Sequence, residues 1–217
     1  MEFRYILFDM DGVLANTRDS IIATTKYTLS RFGRTPDPEV FGRIIGPPLF
    51  MIYHEIFGLE EEAALEAMKI YQKYYAETAV DLIRPFPGVR DMLDRLNAHD
   101  RKLMVCTARY EHSARLVLNK LGILDCFCFV GGLNGTGEGC RTKKADVIEY
   151  IMKDLTIIDR EHALMVGDRA DDINAAKACG IASMGVLYGF GSREELEKAG
   201  ADMLAETPAD IADLIIQ

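Results

Sequence analysis

Two aspartates stand two residues apart near the start of the chain, Asp9 and Asp11 in FDMDGVL. A second acidic group, Asp168 followed by Asp171 and Asp172, lies in GDRADDI towards the other end. Between them come Thr107, closing the apolar run KLMVCT, and the adjacent lysines Lys143 and Lys144. Carboxylates crowded into one place repel one another unless a cation lies between them. An all-oxygen ligand set suits Mg²⁺, which takes octahedral oxygen and keeps several waters. A divalent cation, a lysine and a hydroxyl together make a site for a phosphate. An aspartate held against that phosphate can attack it and carry it as an aspartyl-phosphate. Asp11, in a turn that Gly12 marks, is a neighbouring acid that could protonate the leaving oxygen and later deprotonate the attacking water.

Residues so far apart in sequence meet only if the fold brings them together, and the hydrophobic pattern says how. RYILF (4–8), KLMVCT (102–107), FCFV (127–130), ALMVGD (163–168), IASMGVL (181–187) and DMLAE (202–206) read as short buried strands. Helical segments alternate with them: 88–98, the stretch after Thr107 to about Gly122, 142–154, DDINAAKACG (171–180), SREELEKAG (192–200) and PADIADLII (208–216). A glycine-rich loop, GGLNGTGEG, follows FCFV. Strand–helix alternation with apolar strands predicts an α/β fold with a doubly wound parallel sheet, a Rossmann-like core. In such sheets ligands bind outside the carboxyl ends of the strands. Asp9, Thr107 and Asp168 each close or follow a strand, so the topology gathers them at one rim. Taken singly, each has a plain structural explanation: a strand-end turn, a solvated helix start, or acids favoured at a helix N-terminus. The conjunction carries the argument.

The rhythm breaks between 16 and 82. DSIIATTKYTLSRFG (19–33), with Asp19 or Ser20 as its cap and Gly33 at its end, reads as a helix. So does EEEAALEAMKIYQKYYAETAV (60–80), and Pro36, Pro38, Pro47 and Pro48 interrupt the stretch between. No strand signal occurs here. The expectation is an all-helical cap over 16–82, inserted into a core made of 1–15 and 83–217. Arg43 precedes IIGPPL (44–49) and is a fork-shaped donor suited to a substrate carboxylate or second phosphate; Lys26 is a further candidate. The tyrosines of IYQKYY (70–75) read as a packing face, and YGFGS (188–192) as a glycine turn after a strand or, alternatively, as a loop bordering the site.

Composition bounds the rest. The chain has 217 residues, 49% hydrophobic and 27% charged, with a formal net charge of −9 and a pI near 5.0. This is the composition of a soluble globular protein. The acidic balance argues against a nucleic-acid polymer as partner, and an anion site here must bring its own positive charge. Five cysteines (106, 126, 128, 140 and 179) form no CxxC pair, which suggests reduced thiols and a cytoplasmic protein. Four scattered histidines argue against zinc. No basic start with an apolar leader and no run near the roughly 18 residues of a membrane span is evident. A monomer or homodimer is expected, with no membrane partner.

FDMDGVL, Thr107, Lys144 and GDRADDI together resemble the four motifs of the haloacid dehalogenase-like superfamily, over nearly the whole chain. IIGPPL, RTKKADVIEY (141–150) and GVLYGFGSREELEKAGAD (185–202) resemble its helical-cap branch of phosphoglycolate phosphatase-like and 5'-nucleotidase-like phosphatases. The resemblance implies Asp9 as nucleophile and Mg²⁺ ligand. It implies Asp11 as general acid/base, binding Mg²⁺ through its carbonyl. Gly12, Thr107 and the Ala108 N–H hold the phosphate, and Lys144 steadies nucleophile and phosphate. Asp168 ligates Mg²⁺, with Asp172 either a ligand or one step behind. Lys143 is adjacent, but KADVI resembles the family's KxxVI pattern and favours Lys144. Ala108-Arg109 departs from the Ser-Lys that branch members often carry. The implied activity is Mg²⁺-dependent hydrolysis of a small phosphorylated metabolite, of phosphoglycolate or nucleotide type. Asp11 favours phosphate esters over haloacids or phosphonates. The alternatives are a sugar phosphomutase, whose KPxPD-like third motif RTKKADVI does not match, and a non-catalytic member binding phosphate or a partner, which would be expected to lose one of Asp9, Asp11 or Asp168.

Overall fold

Six apolar runs pair side by side in a single parallel sheet. The computed structural model describes residues 2–45, 47–135, 139–156 and 159–216. Gly46 of IIGPPL and residues 136–138 of the glycine-rich loop lie outside the described residues. The strands in chain order are β1 (Tyr5–Phe8), β2 (Ala15–Asn16), β3 (Arg84–Pro85), β4 (Lys102–Tyr110), β5 (Phe129–Leu133), β6 (Ala163–Gly167), β7 (Ala182–Val186) and β8 (Met203–Ala205). The sheet order is β5-β4-β1-β6-β7-β8, and every adjacent pair is parallel. β2 and β3 form a separate antiparallel ribbon of two residues each, Ala15 opposite Pro85 and Asn16 opposite Arg84. The chain divides into two compact units, Met1–Asn16 with Arg84–Gln217, and Thr17–Ile83. The ribbon thus lies where the chain leaves the first unit and returns to it. Strands this short, paired only by tertiary context, left no trace in the hydrophobic pattern.

The Thr17–Ile83 unit is helical. It holds α1 (Arg18–Ser30), a short α2 (Leu49–Met51) and α3 (Glu61–Glu77). α3 buries Ala64, Ala67, Tyr71 and Tyr75, spaced by three or four residues along one face. Tyr71 packs edge-on to the fully buried Tyr53, and Tyr74 stacks on Tyr27 at 3.9 Å. α1 buries Ser20, Thr24, Thr25 and Thr28 beside Ile21 and Leu29. Two of these hydroxyls are satisfied by bonding back along the helix: Ser20 donates to the Thr17 carbonyl at 2.7 Å and Thr24 to that of Ser20 at 2.6 Å. Ser20 is therefore not the N-cap expected from sequence, and neither is Asp19. The helix begins at Arg18, after Thr17, with no side-chain cap.

In the first unit α4 (Val89–Ala98), α5 (Glu111–Lys120), α6 (Lys144–Asp154), α7 (Ala170–Ala178), α8 (Arg193–Ala199) and α9 (Pro208–Ile216) alternate with the strands. The central strands are buried on both faces, which is why they read as unbroken apolar runs. Ile6, Leu7 and Phe8 of β1 and Leu164, Met165 and Val166 of β6 have no exposure, each burial favourable by about 1.5–3 kcal/mol. α4 supplies Val89, Met92, Leu93 and Leu96, one helical stripe. Two strands extend beyond the apolar runs. β5 continues through Gly131 and Gly132, where the missing side chain at Gly131 lets Val147 and Ile151 of α6 lie directly on the strand. β4 continues to Tyr110 through a register shift: Cys106 faces Gly131, but Tyr110 faces Leu133. Thr107, Ala108 and Arg109 bulge out in between. No helix among the described residues is long and apolar enough to cross a membrane.

Candidate active site

β1 lies between β4 and β6 in the sheet, and Phe8 is level with Val105 on one side and Val166 on the other. The next residue, Asp9, is anchored by its N–H to the Val166 carbonyl at 2.8 Å. It therefore emerges from the carboxyl edge flanked by the Thr107 bulge and by Asp168, just past β6. Asp9, Asp168 and Asp172 each offer a carboxylate oxygen within 4.8 Å of the others, and all three are buried.

Lys144 enters this group from the first turn of α6. Its ammonium lies 3.1 Å from Asp9 Oδ2 and donates to Asp172 Oδ1. Lys144 shares a helix face with the buried Val147, Ile148 and Ile151, at i+3, i+4 and i+7, whereas Lys143 is exposed. That periodicity is the signal in the sequence that separates the two lysines. Burial acts to lower the pKa of Lys144, but Asp172 and Asp9 more than offset it, and the group is held well above its ordinary value as a cation. Each oxygen of Asp172 already has a partner in the protein. Lys144 takes Oδ1, and the Arg169 N–H takes Oδ2 at 3.0 Å.

Asp168 differs. Its Oδ2 accepts from the Phe190 N–H at 2.7 Å, while its buried Oδ1 has no hydrogen-bond partner among the described residues. Burial, with the nearby Asp172 charge, pushes its pKa up to about 7. Burial likewise raises Asp9 well above the carboxylate range; Lys144 opposes this, and Asp172, Asp168 and Asp11 add to it. Three carboxylates and one ammonium leave a formal excess of two negative charges in a buried space. A buried, unpaired carboxylate oxygen is costly, and a hard divalent cation held by oxygen satisfies both the charge and Asp168 Oδ1. The residues fit such an ion. A second acidic group, Asp159, Glu161 and His162, also converges, but it precedes β6 and so lies towards the opposite edge of the sheet.

Gly12 turns the chain after Asp11 with φ of +89°, and a Cβ there would lie 2.0 Å from Asp168 Oδ2. The Asp9–Gly12 turn and the Asp168 carboxylate can approach only across a glycine. Thr107 is buried, its hydroxyl accepting from the Arg109 N–H at 3.2 Å, and Ala108 is exposed beside it on the bulge. Asp11 is partly exposed. No neighbour in the chain marks a partner for it, yet Arg109 grips it as a fork, Nε to Oδ2 at 2.6 Å and a terminal nitrogen to Oδ1 at 2.8 Å. The Ala108-Arg109 departure noted in the sequence was the available clue. YGFGS borders the site as well as turning the chain: the Phe190 N–H bonds Asp168, and the Tyr188 hydroxyl donates to the Val13 carbonyl at 3.0 Å. Arg43 belongs to the helical unit, where it lies exposed at a turn closed by its N–H to the Val40 carbonyl at 2.8 Å. Lys26, in the same unit, lies over the Phe41 ring at 5.1 Å.

The chain is similar to known proteins over most of its length. The haloacid dehalogenase-like hydrolase profile matches residues 6–186, and the chain belongs to that family. It is 32% identical over 197 residues to a 5'-nucleotidase of Pseudomonas aeruginosa, covering 90% of this chain and 88% of that protein. A phosphoglycolate phosphatase of Chromobacterium violaceum is 27% identical over 218 residues, with 97% and 95% covered. A crystal structure from Clostridium difficile superimposes with a TM-score of 0.90 at 32% identity, covering 99% of both chains.

Proposed function

We propose that this protein is a Mg²⁺-dependent phosphatase that hydrolyses a small phosphate monoester through an aspartyl-phosphate on Asp9. The observation that carries the proposal is the buried group in which Lys144 holds Asp9 and Asp172 while Asp168 Oδ1 stays unpaired. Family membership and relatives named for phosphate-ester hydrolysis support it.

Asp9 and Asp168, with the Asp11 carbonyl, are assigned to the metal, and Asp172 to the positioning of Lys144, since both its oxygens are taken. Bound there, Mg²⁺ supplies charge neutralisation between the phosphoryl oxygens and the attacking carboxylate. The chain's own residues do the rest. Lys144, Thr107, Gly12 and the Ala108 N–H hold the phosphate oxygens. An oxygen of Asp9 bonds to phosphorus as the ester P–O bond breaks. The departing oxygen takes a proton from Asp11, whose orientation Arg109 sets. A water then gives a proton back to Asp11 and attacks the same phosphorus, releasing phosphate and restoring Asp9. Five free thiols accord with a reducing, cytoplasmic setting.

Residues 17–83 are assigned as a cap that admits small esters, with Arg43 contacting the leaving group and phosphoglycolate- or nucleotide-type esters as the candidate class. The test is phosphate release from p-nitrophenyl phosphate and a panel of small monoesters. Activity is expected with Mg²⁺ and none in EDTA; full activity in EDTA sinks the metal mechanism. Arg43→Ala is expected to reorder the panel by about tenfold or more, the scale of one lost charge-assisted contact, and to leave p-nitrophenyl phosphate turnover within about twofold. An unchanged ranking removes Arg43 from the specificity role.

A further inference from the structure

The segment Tyr188–Gly191 does something the proposed reaction does not require of it: it covers one oxygen of a carboxylate assigned to the metal. The Phe190 N–H bonds Asp168 Oδ2 at 2.7 Å. Two glycines make the approach possible. A Cβ at Gly189 would lie 2.4 Å from Asp168 Cβ and 2.6 Å from the Gly12 carbonyl, and one at Gly191 would lie 1.9 Å from the Asp168 carbonyl oxygen. The segment is fixed from behind. Tyr188 donates its hydroxyl to the Val13 carbonyl at 3.0 Å, in the turn that carries Asp11 and Gly12. Burial keeps that hydroxyl protonated and therefore a donor. The Tyr188 ring packs against Phe86 at 5.1 Å and the Phe190 ring against the same Phe86 at 6.3 Å.

The consequence lies in what is left of Asp168. With Oδ2 already accepting a peptide N–H, Oδ1 is the oxygen left without a partner among the described residues, and a bidentate cation would have to share Oδ2 with that N–H. Ca²⁺ takes six to eight oxygens, and its sites use bidentate carboxylates, whereas Mg²⁺ keeps six and is satisfied by single oxygens. A carboxylate already half-occupied by an amide favours the smaller ion. We propose that Tyr188–Gly191 is a clamp that positions Asp168 as a one-oxygen ligand, setting both Mg²⁺ affinity and discrimination against Ca²⁺ at the site. The proposal rests on the metal assignment above. Tyr188, Gly189, Phe190 and Gly191 are positioning residues that act through Asp168.

The test measures metal binding without substrate. Mg²⁺ and Ca²⁺ affinities of the full-length protein are obtained by calorimetry for the wild type, Gly191→Ala and Tyr188→Phe, and hydrogen exchange is followed at the Phe190 amide. Gly191→Ala forces the segment off Asp168, and Tyr188→Phe removes its tie to Val13 while keeping the ring. Loss of a group that orients a metal ligand typically costs about 10- to 100-fold in affinity. Gly191→Ala is expected to weaken Mg²⁺ by at least about tenfold, to weaken Ca²⁺ less, and to speed Phe190 exchange. Tyr188→Phe is expected to shift all three in the same direction by a smaller factor, and it decides the matter should Gly191→Ala not fold. Faster Phe190 exchange with unchanged Mg²⁺ affinity and an unchanged Mg²⁺/Ca²⁺ ratio overturns the clamp and leaves the metal assignment standing. A wild type that binds neither ion overturns both.

Discussion

Asp9→Asn lowers turnover of every phosphate ester the protein hydrolyses by at least about 10³-fold. The scale is that of deleting one key catalytic group, and uncatalysed monoester hydrolysis is so slow, with enhancements reaching ~10²¹, that no background reaction fills the gap. The substitution is nearly isosteric, so Asp9 can be replaced without a cavity. In the proposed reaction, what goes is the attacking oxygen's charge and with it the covalent route. The fold should not suffer. Burial already makes the ionised form of Asp9 costly, and Lys144 keeps its bond to Asp172. The expected pair of results is therefore a lost phosphoryl adduct with a thermal midpoint equal to or above that of the wild type. Near-wild-type turnover in folded Asp9→Asn removes Asp9 from the nucleophile's role.

The readability of this chain followed burial. β1 and β6 were legible because a parallel strand covered on both faces is apolar at every position, and their ends fell where Asp9 and Asp168 begin. Lys144 was legible in principle, since its helix face is that of Val147, Ile148 and Ile151. The β2–β3 ribbon was not, because two-residue strands carry no period. α1 is helical although its buried face is largely Ser and Thr, so its amphipathic signal was faint, and its cap was misplaced for the same reason: a serine that bonds backwards looks like one that caps. The hardest features were pairings between loops. Nothing local to Asp11 points to Arg109, and nothing in YGFGS points to Asp168, because each contact is made by chain segments that only the sheet order brings together.

Asp168→Asn melts above the wild type at pH 8 in EDTA, and Mg²⁺ narrows that gap by stabilising the wild type and not the variant. The amide oxygen retains the Phe190 N–H bond, and the new NH₂ group takes the place of Oδ1 beside the carboxylates of Asp9 and Asp172. In EDTA the wild type holds a buried carboxyl with pKa near 7, above the ~3.9 of an unfolded aspartate. A group whose folded pKa is raised contributes stability that is fully present below the unfolded value and is lost as pH rises through the folded one. At pH 8 without metal, the ionised Asp168 therefore destabilises the wild type, and the uncharged asparagine does not. Asp168→Asn should melt higher there by several degrees, at roughly 2–4 °C per kcal/mol for a chain of this size, with the difference vanishing towards pH 4. Mg²⁺ then works the other way. It binds the wild type and stabilises it by about 2.7 kcal/mol at a concentration a hundredfold above its Kd, while the variant, lacking the unpaired carboxylate oxygen, gains little and loses at least about 10²-fold in turnover, as expected when a metal ligand's charge is removed. Scanning calorimetry at pH 5 and pH 8, each in EDTA and in Mg²⁺, reads all four corners. Equal stabilisation of both proteins by Mg²⁺ would show that Asp168 is not a ligand. A variant that melts lower than the wild type in EDTA at pH 8 would show that the buried carboxylate is satisfied by the protein alone, and the electrostatic case for a cation at this site would fall with it.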